Sequence, residues 1–187
     1  MTRLFVALRP PSEVLSAIST AVHPLAVDPP AGVRLTPVGQ WHATLRFVGD
    51  ADPTEVRNRL SPATLPACSA EVQPRPTVLG RVLAFDVAGV ETLAEAVQAA
   101  TASLGEQVEH RPFRGHVTVA RLRRGVSPYG VRNLLAHGSI DLPEGPAEWP
   151  VGQIELVSST VDSAGAVHEV LATFPTGDGI IPGPGLH

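Results

Sequence analysis

Apolar positions along this chain follow two rhythms, one of alternation and one of helical recurrence. Residues 4–8 read as a buried first strand closed by Arg9-Pro10-Pro11. Val14, Leu15, Ile18 and Val22 then recur at helical spacing, so a helix is expected from a Ser12 cap to about Val22. A loop with Pro24, Pro29 and Pro30 leads through Val33-Arg34-Leu35 to a turn at Pro37-Val38-Gly39. A strand over 41–48 ends at Gly49-Asp50, and Asp52-Pro53-Thr54-Glu55 starts a short helix carried by Val56 and Leu60. Two strands are expected over 70–73 and 81–87, separated by Pro74-Arg75-Pro76. The Ala-rich stretch 91–104 puts Leu93, Val97, Ala100 and Leu104 on one helical stripe. A strand over 115–122, a short helix over 131–136 and strands over 153–159 and 167–174 complete the expected elements. Residues 177–187, rich in Gly and Pro, read as a disordered tail.

Two of these strands carry the same short pattern. His42-Ala43-Thr44-Leu45 and His116-Val117-Thr118-Val119 are each His-x-Thr followed by an aliphatic residue. Residues two apart on a strand share a face. Each copy therefore presents an imidazole beside a hydroxyl and turns its aliphatic residues toward a core. Helices precede or follow each copy, which suggests two similar lobes facing each other across a cleft.

Composition narrows the class. With 43% hydrophobic and 17% charged residues over 187 positions, the chain is a folded globular protein: one domain, residues 1–176, with two lobes. All 14 basic residues are Arg, and the net charge of −4 argues against broad non-specific binding of nucleic acid. Any RNA contact must be local. Cys68 is the only cysteine, which rules out an internal disulfide and argues against a thiolate metal site. The apolar run before Arg9 is too short for a signal-peptide core, and no stretch is long enough to span a membrane. A cytoplasmic monomer is expected.

Two histidines brought together form an acid–base pair that works near neutral pH, one neutral and one protonated on opposite sides of a reacting centre. Threonine hydroxyls at the same depth suit the oxygens of a phosphate. Neither motif has a carboxylate or cysteine beside it to complete a metal site. Arg111, Arg114, Arg121, Arg123 and Arg124 cluster around the second motif. Strict alternation turns Arg121 away from His116, so it reaches the cleft only through a bulge, a twist or the strand's end. Arg123 and Arg124 read as a solvated strand terminus. Of the other histidines, His23 lies at a helix end, His110 and His137 beside turns, His187 in the tail, and His168 on the exposed face of a strand.

The ordered set of motifs resembles a known family. Arg3-Leu4-Phe5-Val6-Ala7-Leu8, Pro10-Pro11, Trp41-His42-Ala43-Thr44-Leu45-Arg46-Phe47-Val48-Gly49, Phe113-Arg114-Gly115-His116-Val117-Thr118-Val119-Ala120-Arg121 and Ile154-Glu155-Leu156-Val157-Ser158-Ser159 are similar to the RNA 2′,3′-cyclic phosphodiesterases. These were formerly called 2′-5′ RNA ligases and are part of the 2H phosphoesterase superfamily. The resemblance implies a bilobal α+β fold, two antiparallel sheets facing a central cleft with helices outside. It implies hydrolysis of a terminal 2′,3′-cyclic phosphate to a 2′-phosphomonoester without metal or cofactor. His42 would be the general acid and His116 the general base, with Thr44, Thr118 and Arg121 on the phosphate. Phe47, Phe113, Tyr129 or an arginine plane would stack a base. RNA ends or 2′,3′-cyclic nucleotides are the expected partners. Two positions depart from the family pattern: Gly115 where Pro is usual, which should loosen the strand entry, and His168 where many relatives have Tyr. Ligation through the same histidines and a non-catalytic RNA-end binding module are the alternative functions.

Overall fold

The computed structural model describes residues 3–108, 112–126, 140–143, 147–161 and 165–177. The helix expected over 131–136, Tyr129, His110, His137 and the tail beyond Gly177 lie outside the described residues. Nine strands are described: β1 (Arg3–Leu8), β2 (Val33–Leu35), β3 (Ala43–Gly49), β4 (Cys68–Leu79), β5 (Val82–Ala88), β6 (Gly115–Leu122), β7 (Ala147–Val151), β8 (Gln153–Val161) and β9 (Ala166–Pro175). Three helices accompany them, α1 (Ser12–Val27), α2 (Pro53–Leu60) and α3 (Glu91–Ala100).

The strands pair in the order β7-β4-β5-β6-β3-β1-β8-β9, all antiparallel, with β2 also against β6. The two facing sheets expected from the motifs are thus two halves of one curled sheet. They join at a single bridge, Ala43 opposite Val117. The join is short because β2 occupies the rest of that edge of β6, pairing Val33 to Leu35 with Leu122 to Ala120. Beyond the bridge β3 and β6 share no further pairs, which leaves room for the cleft that the motifs imply. The strand–helix–strand order β1-α1-β3 recurs as β5-α3-β6, with one His-x-Thr at the second strand of each unit.

The main core lies between the sheet and the helices, where Val14 and Ile18 of α1, Val56 and Leu60 of α2, and Leu93 and Val97 of α3 are buried. A smaller cluster of Phe5, Ala7 and Val157 forms separately. Phe5 and Ala7 oppose Phe47 and Thr44 on β3, so it sits on the motif face of that half-sheet.

Local sequence rules hold at α2, where Thr54 N–H donates to the Asp52 carboxylate at 2.8 Å and Pro53 takes the first helical position. They fail at four places. Ser12 does not cap α1; Pro11 stands at the N-cap with no side-chain bond, and the helix runs on through Pro24 to Val27, with Asp28 N–H on Pro24 O. The expected break at Pro74-Arg75-Pro76 lies inside the single strand β4. There the ladder to β5 skips between Val72 and Pro76, which suits residues that lack a donor. β7 is not among the expected strands; its Trp149-Pro150 is tolerated because β7 lies at the edge of the sheet. The helix expected over 91–104 also ends early, at Ala100.

Candidate active site

His42 stands immediately before β3, at the end of a one-turn 3-10 helix, Val38–Gln40. That turn is anchored by Trp41, which is buried and donates its indole N–H to Thr36 O at 2.9 Å. His42 Nδ1 lies 2.6 Å from Gln40 O. In the other half, His116 Nδ1 lies 3.0 Å from Arg114 O. A carbonyl only accepts, so each bond places the ring proton on Nδ1 and leaves Nε2 as the free nitrogen.

Register relates the two motifs by a near-twofold. With Ala43 opposite Val117 in antiparallel strands, His42 is level with Thr118 and Thr44 with His116. The two histidines thus lie diagonally across the single bridge that joins the half-sheets. The intervening Ala43, Leu45, Val117 and Val119 are buried in the core, as alternation requires.

Alternation then breaks in both strands at the same point. Val6 pairs with Arg46 and Ala7 with Thr44, which skips Leu45; Leu83 pairs with Ala120 and Ala84 with Thr118, which skips Val119. Two successive residues turn inward in each strand, Leu45-Arg46 and Val119-Ala120, all buried. The residue five beyond each histidine therefore returns to the histidine face. These residues are Phe47, 61% exposed, and Arg121, also exposed. The bulge that Arg121 needed is present.

His168 is not on the outer face that its sequence neighbours suggested. Its ring is 5.4 Å from the His42 ring and 5.2 Å from Phe5, edge-on to both, while Phe5 stacks on His42 at 4.8 Å. The curl of the sheet brings β9 over the turn before β3, and the Gln40 side-chain amide donates to Ala166 O at 2.5 Å. Curvature of this kind has no signal in local alternation.

The charges around the two rings differ. Burial, together with the nearby His168, Arg9 and His116, lowers the pKa of His42 to about 4 against the pull of its bond to Gln40 O. His168 is also lowered, chiefly by burial and then by Arg9 and Arg121. At neutral pH these surroundings favour the neutral imidazole of His42 in the free protein. An anionic phosphate in the cleft would supply the charge that raises it. Arg9 pairs with Glu155 at 3.5 Å and donates to Gly39 O at 2.9 Å. Beside His116 the neighbour is an acid: Asp86 is its register partner on β5, and Arg114 grips that carboxylate with Nε at 2.9 Å and Nη2 at 2.7 Å.

Phe113 packs against the core next to Gly115 rather than beside Phe47, so the two candidate stacking residues are not brought together. Gly115 does not loosen the strand entry. It is buried, and an added Cβ would lie 2.5 Å from Val87 O, a close approach that excludes any side chain without displacement. Arg123 and Arg124 are exposed beyond the end of β6, as expected. Among the described residues there is no cluster of three potential metal-binding His, Cys, Asp or Glu side chains, and no helix is long and apolar enough to cross a membrane. The motifs alone give no sign of Phe5, Arg9 and Asp86, which reach the rings only through pairing and curl, or of Gln40, which bonds His42 locally.

The chain has an α+β fold of the LigT type, two half-sheets about one bridge with a His-x-Thr at the inner strand of each. No protein-family model matches the chain, and no curated protein matches its sequence. Solved structures do match. The chain is similar to TT0787 of Thermus thermophilus at 26% identity and a TM-score of 0.71, covering 92% of this chain and 97% of that one. It is similar to E. coli LigT complexed with 3′-AMP at 20% identity and a TM-score of 0.70, covering 94% and 98%. A structure described as a phosphoesterase matches at 20% identity and a TM-score of 0.70, covering 94% and 99%.

Proposed function

We propose that this protein is a phosphoesterase that opens 2′,3′-cyclic phosphates at RNA ends or in cyclic nucleotides, leaving a 2′-phosphomonoester. The observation that carries the reading is the pair of imidazoles, each tied through Nδ1 to a backbone carbonyl. Both are left with a free Nε2 at the same short bridge between the half-sheets. In the reaction, water adds to phosphorus and the bond from phosphorus to O3′ breaks. One imidazole takes the water proton and the other gives a proton to O3′, so charge never accumulates on either oxygen. Thr44 and Thr118, level with the opposite histidines, donate to the non-bridging oxygens, and Arg121 adds a fixed positive charge. Phe47 offers an exposed face on which a base can stack. That LigT has been crystallised with 3′-AMP fits a nucleotide in such a cleft.

The decisive experiment is incubation with 2′,3′-cyclic mononucleotides after exhaustive chelation, with the products separated by position of the phosphate. Formation of the 2′-phosphomonoester is expected. Binding without ring opening would make the protein a binding module, and a rate restored only by a divalent ion would replace the two-imidazole scheme.

A further inference from the structure

Each histidine takes its carbonyl partner from the residue two positions before it, Gln40 for His42 and Arg114 for His116. In both halves the side chain of that same residue is fastened to a different strand. Gln40 Nε2 donates to Ala166 O on β9 at 2.5 Å, across 126 positions of sequence. Arg114 grips Asp86 on β5 through two nitrogens and reaches Thr77 Oγ1 on β4 at 3.4 Å. We propose that Gln40 and Arg114 are positioning residues, each holding in place the carbonyl that fixes the tautomer and tilt of the catalytic imidazole. The proposal rests on the reading that both rings transfer protons.

The chemistry favours a local orienting role over a stabilising one. The Arg114–Asp86 pair is more than half exposed on the arginine side, and exposed pairs add little to stability. Its two-point geometry nevertheless anchors the Arg114 side chain to β5 and so restrains the backbone that carries it. An unanchored carbonyl would let the ring exchange its proton between nitrogens, and the free Nε2 would then be lost part of the time.

The test uses the full chain with 15N-labelled histidine, its ring signals assigned through His42→Gln and His116→Gln. Gln40→Met keeps side-chain length without the donor, and Arg114→Met keeps most of the stem without the fork. In the unaltered protein both rings should show the proton on Nδ1. Gln40→Met should move only the His42 nitrogens toward averaged values, and Arg114→Met only those of His116. Turnover of a 2′,3′-cyclic nucleotide should fall about tenfold in kcat, the scale of a slightly misplaced reacting group, with KM changed by less than about twofold. Ring nitrogens that stay in place in both variants, or both rings shifting in either variant, would overturn the proposal. Arg114 lies at the surface, so its variant keeps the test open if Gln40→Met does not fold. A protein that turns over no cyclic phosphate defeats the functional reading, while the ring signals still decide the positioning.

Discussion

The half of the cleft that carries His42 and the half that carries His116 share a backbone and differ in what surrounds it. Leu8 faces Ala43 as Phe85 faces Val117, and Ala7 faces Thr44 as Ala84 faces Thr118. Each inner strand bulges at the same step past its histidine. Yet the residue after Leu8 is Arg9 and the residue after Phe85 is Asp86, so equivalent places hold opposite charges. His42 is packed by Phe5 and His168; His116 has a carboxylate beside it. At the bulge exits one half offers Phe47 and the other Arg121. A duplicated frame sets the spacing of two imidazoles, and side-chain differences divide the labour between the halves. One side presents an aromatic face and the other a cation, which on the proposed function would meet a base and a phosphate respectively.

If both imidazoles move protons, the largest effect comes from removing either. His42→Ala and His116→Ala should each slow ring opening by about a hundredfold or more, and the double variant should lose far less than the product. Near-normal turnover in one single variant would leave the halves unequal in a way this geometry does not support.

The bulge exits give the next effect, and they should separate. Arg121→Ala is expected to raise KM for every cyclic nucleotide alike. Phe47→Ala should raise it by about tenfold for purine substrates, where the stacked face is largest, and less for pyrimidines. Thr44→Val and Thr118→Val keep the strand-favouring shape and lose the hydroxyl, so each should depress kcat without moving the pH midpoints. A measured KM series in which Phe47 and Arg121 behave identically would erase the division of labour.

The pH dependence distinguishes the halves through His42. Its pKa is about 4 when folded, against an ordinary value of 6.5, so the unfolded chain binds more protons between those values. Stability from this group is complete above about pH 6.5 and falls as pH drops toward 4, on the order of 3 kcal/mol in all. Chemical unfolding across this range should show the loss, and His42→Gln should flatten it. Inorganic phosphate should stabilise the protein more at pH 5 than at pH 8, since a bound anion favours charged His42. The acid midpoint of kcat/KM, a property of the coupled rings, should fall below the ordinary histidine range.

The smallest effect lies outside the cleft. Asp52→Ala should cost about 1 kcal/mol of stability, the usual worth of a helix cap, whereas Ser12→Ala should cost almost nothing because its hydroxyl caps no helix. Urea midpoints of the two variants would show it.

What the sequence determined by itself was local. The paired His-x-Thr, the aliphatic residues between them and the capped start of α2 are short-range patterns, and the ordered motifs carried the resemblance that implied the α+β fold. Tertiary structure decided the rest. Arg121 reaches the histidine face only because β6 bulges against β5, and bulges depend on the partner strand. His168 meets His42 only because the sheet curls, and curl is a sum of small twists over four strands that no alternation pattern records. Gly115 looked permissive along the chain, but Val87 O at its back leaves no room for a Cβ unless the backbone shifts. His42 shifts in pKa through burial, Arg9 and His168, drawn from three separate segments. Periodicity reports which side of a strand a residue takes; what stands across from that side is settled only when distant strands pair.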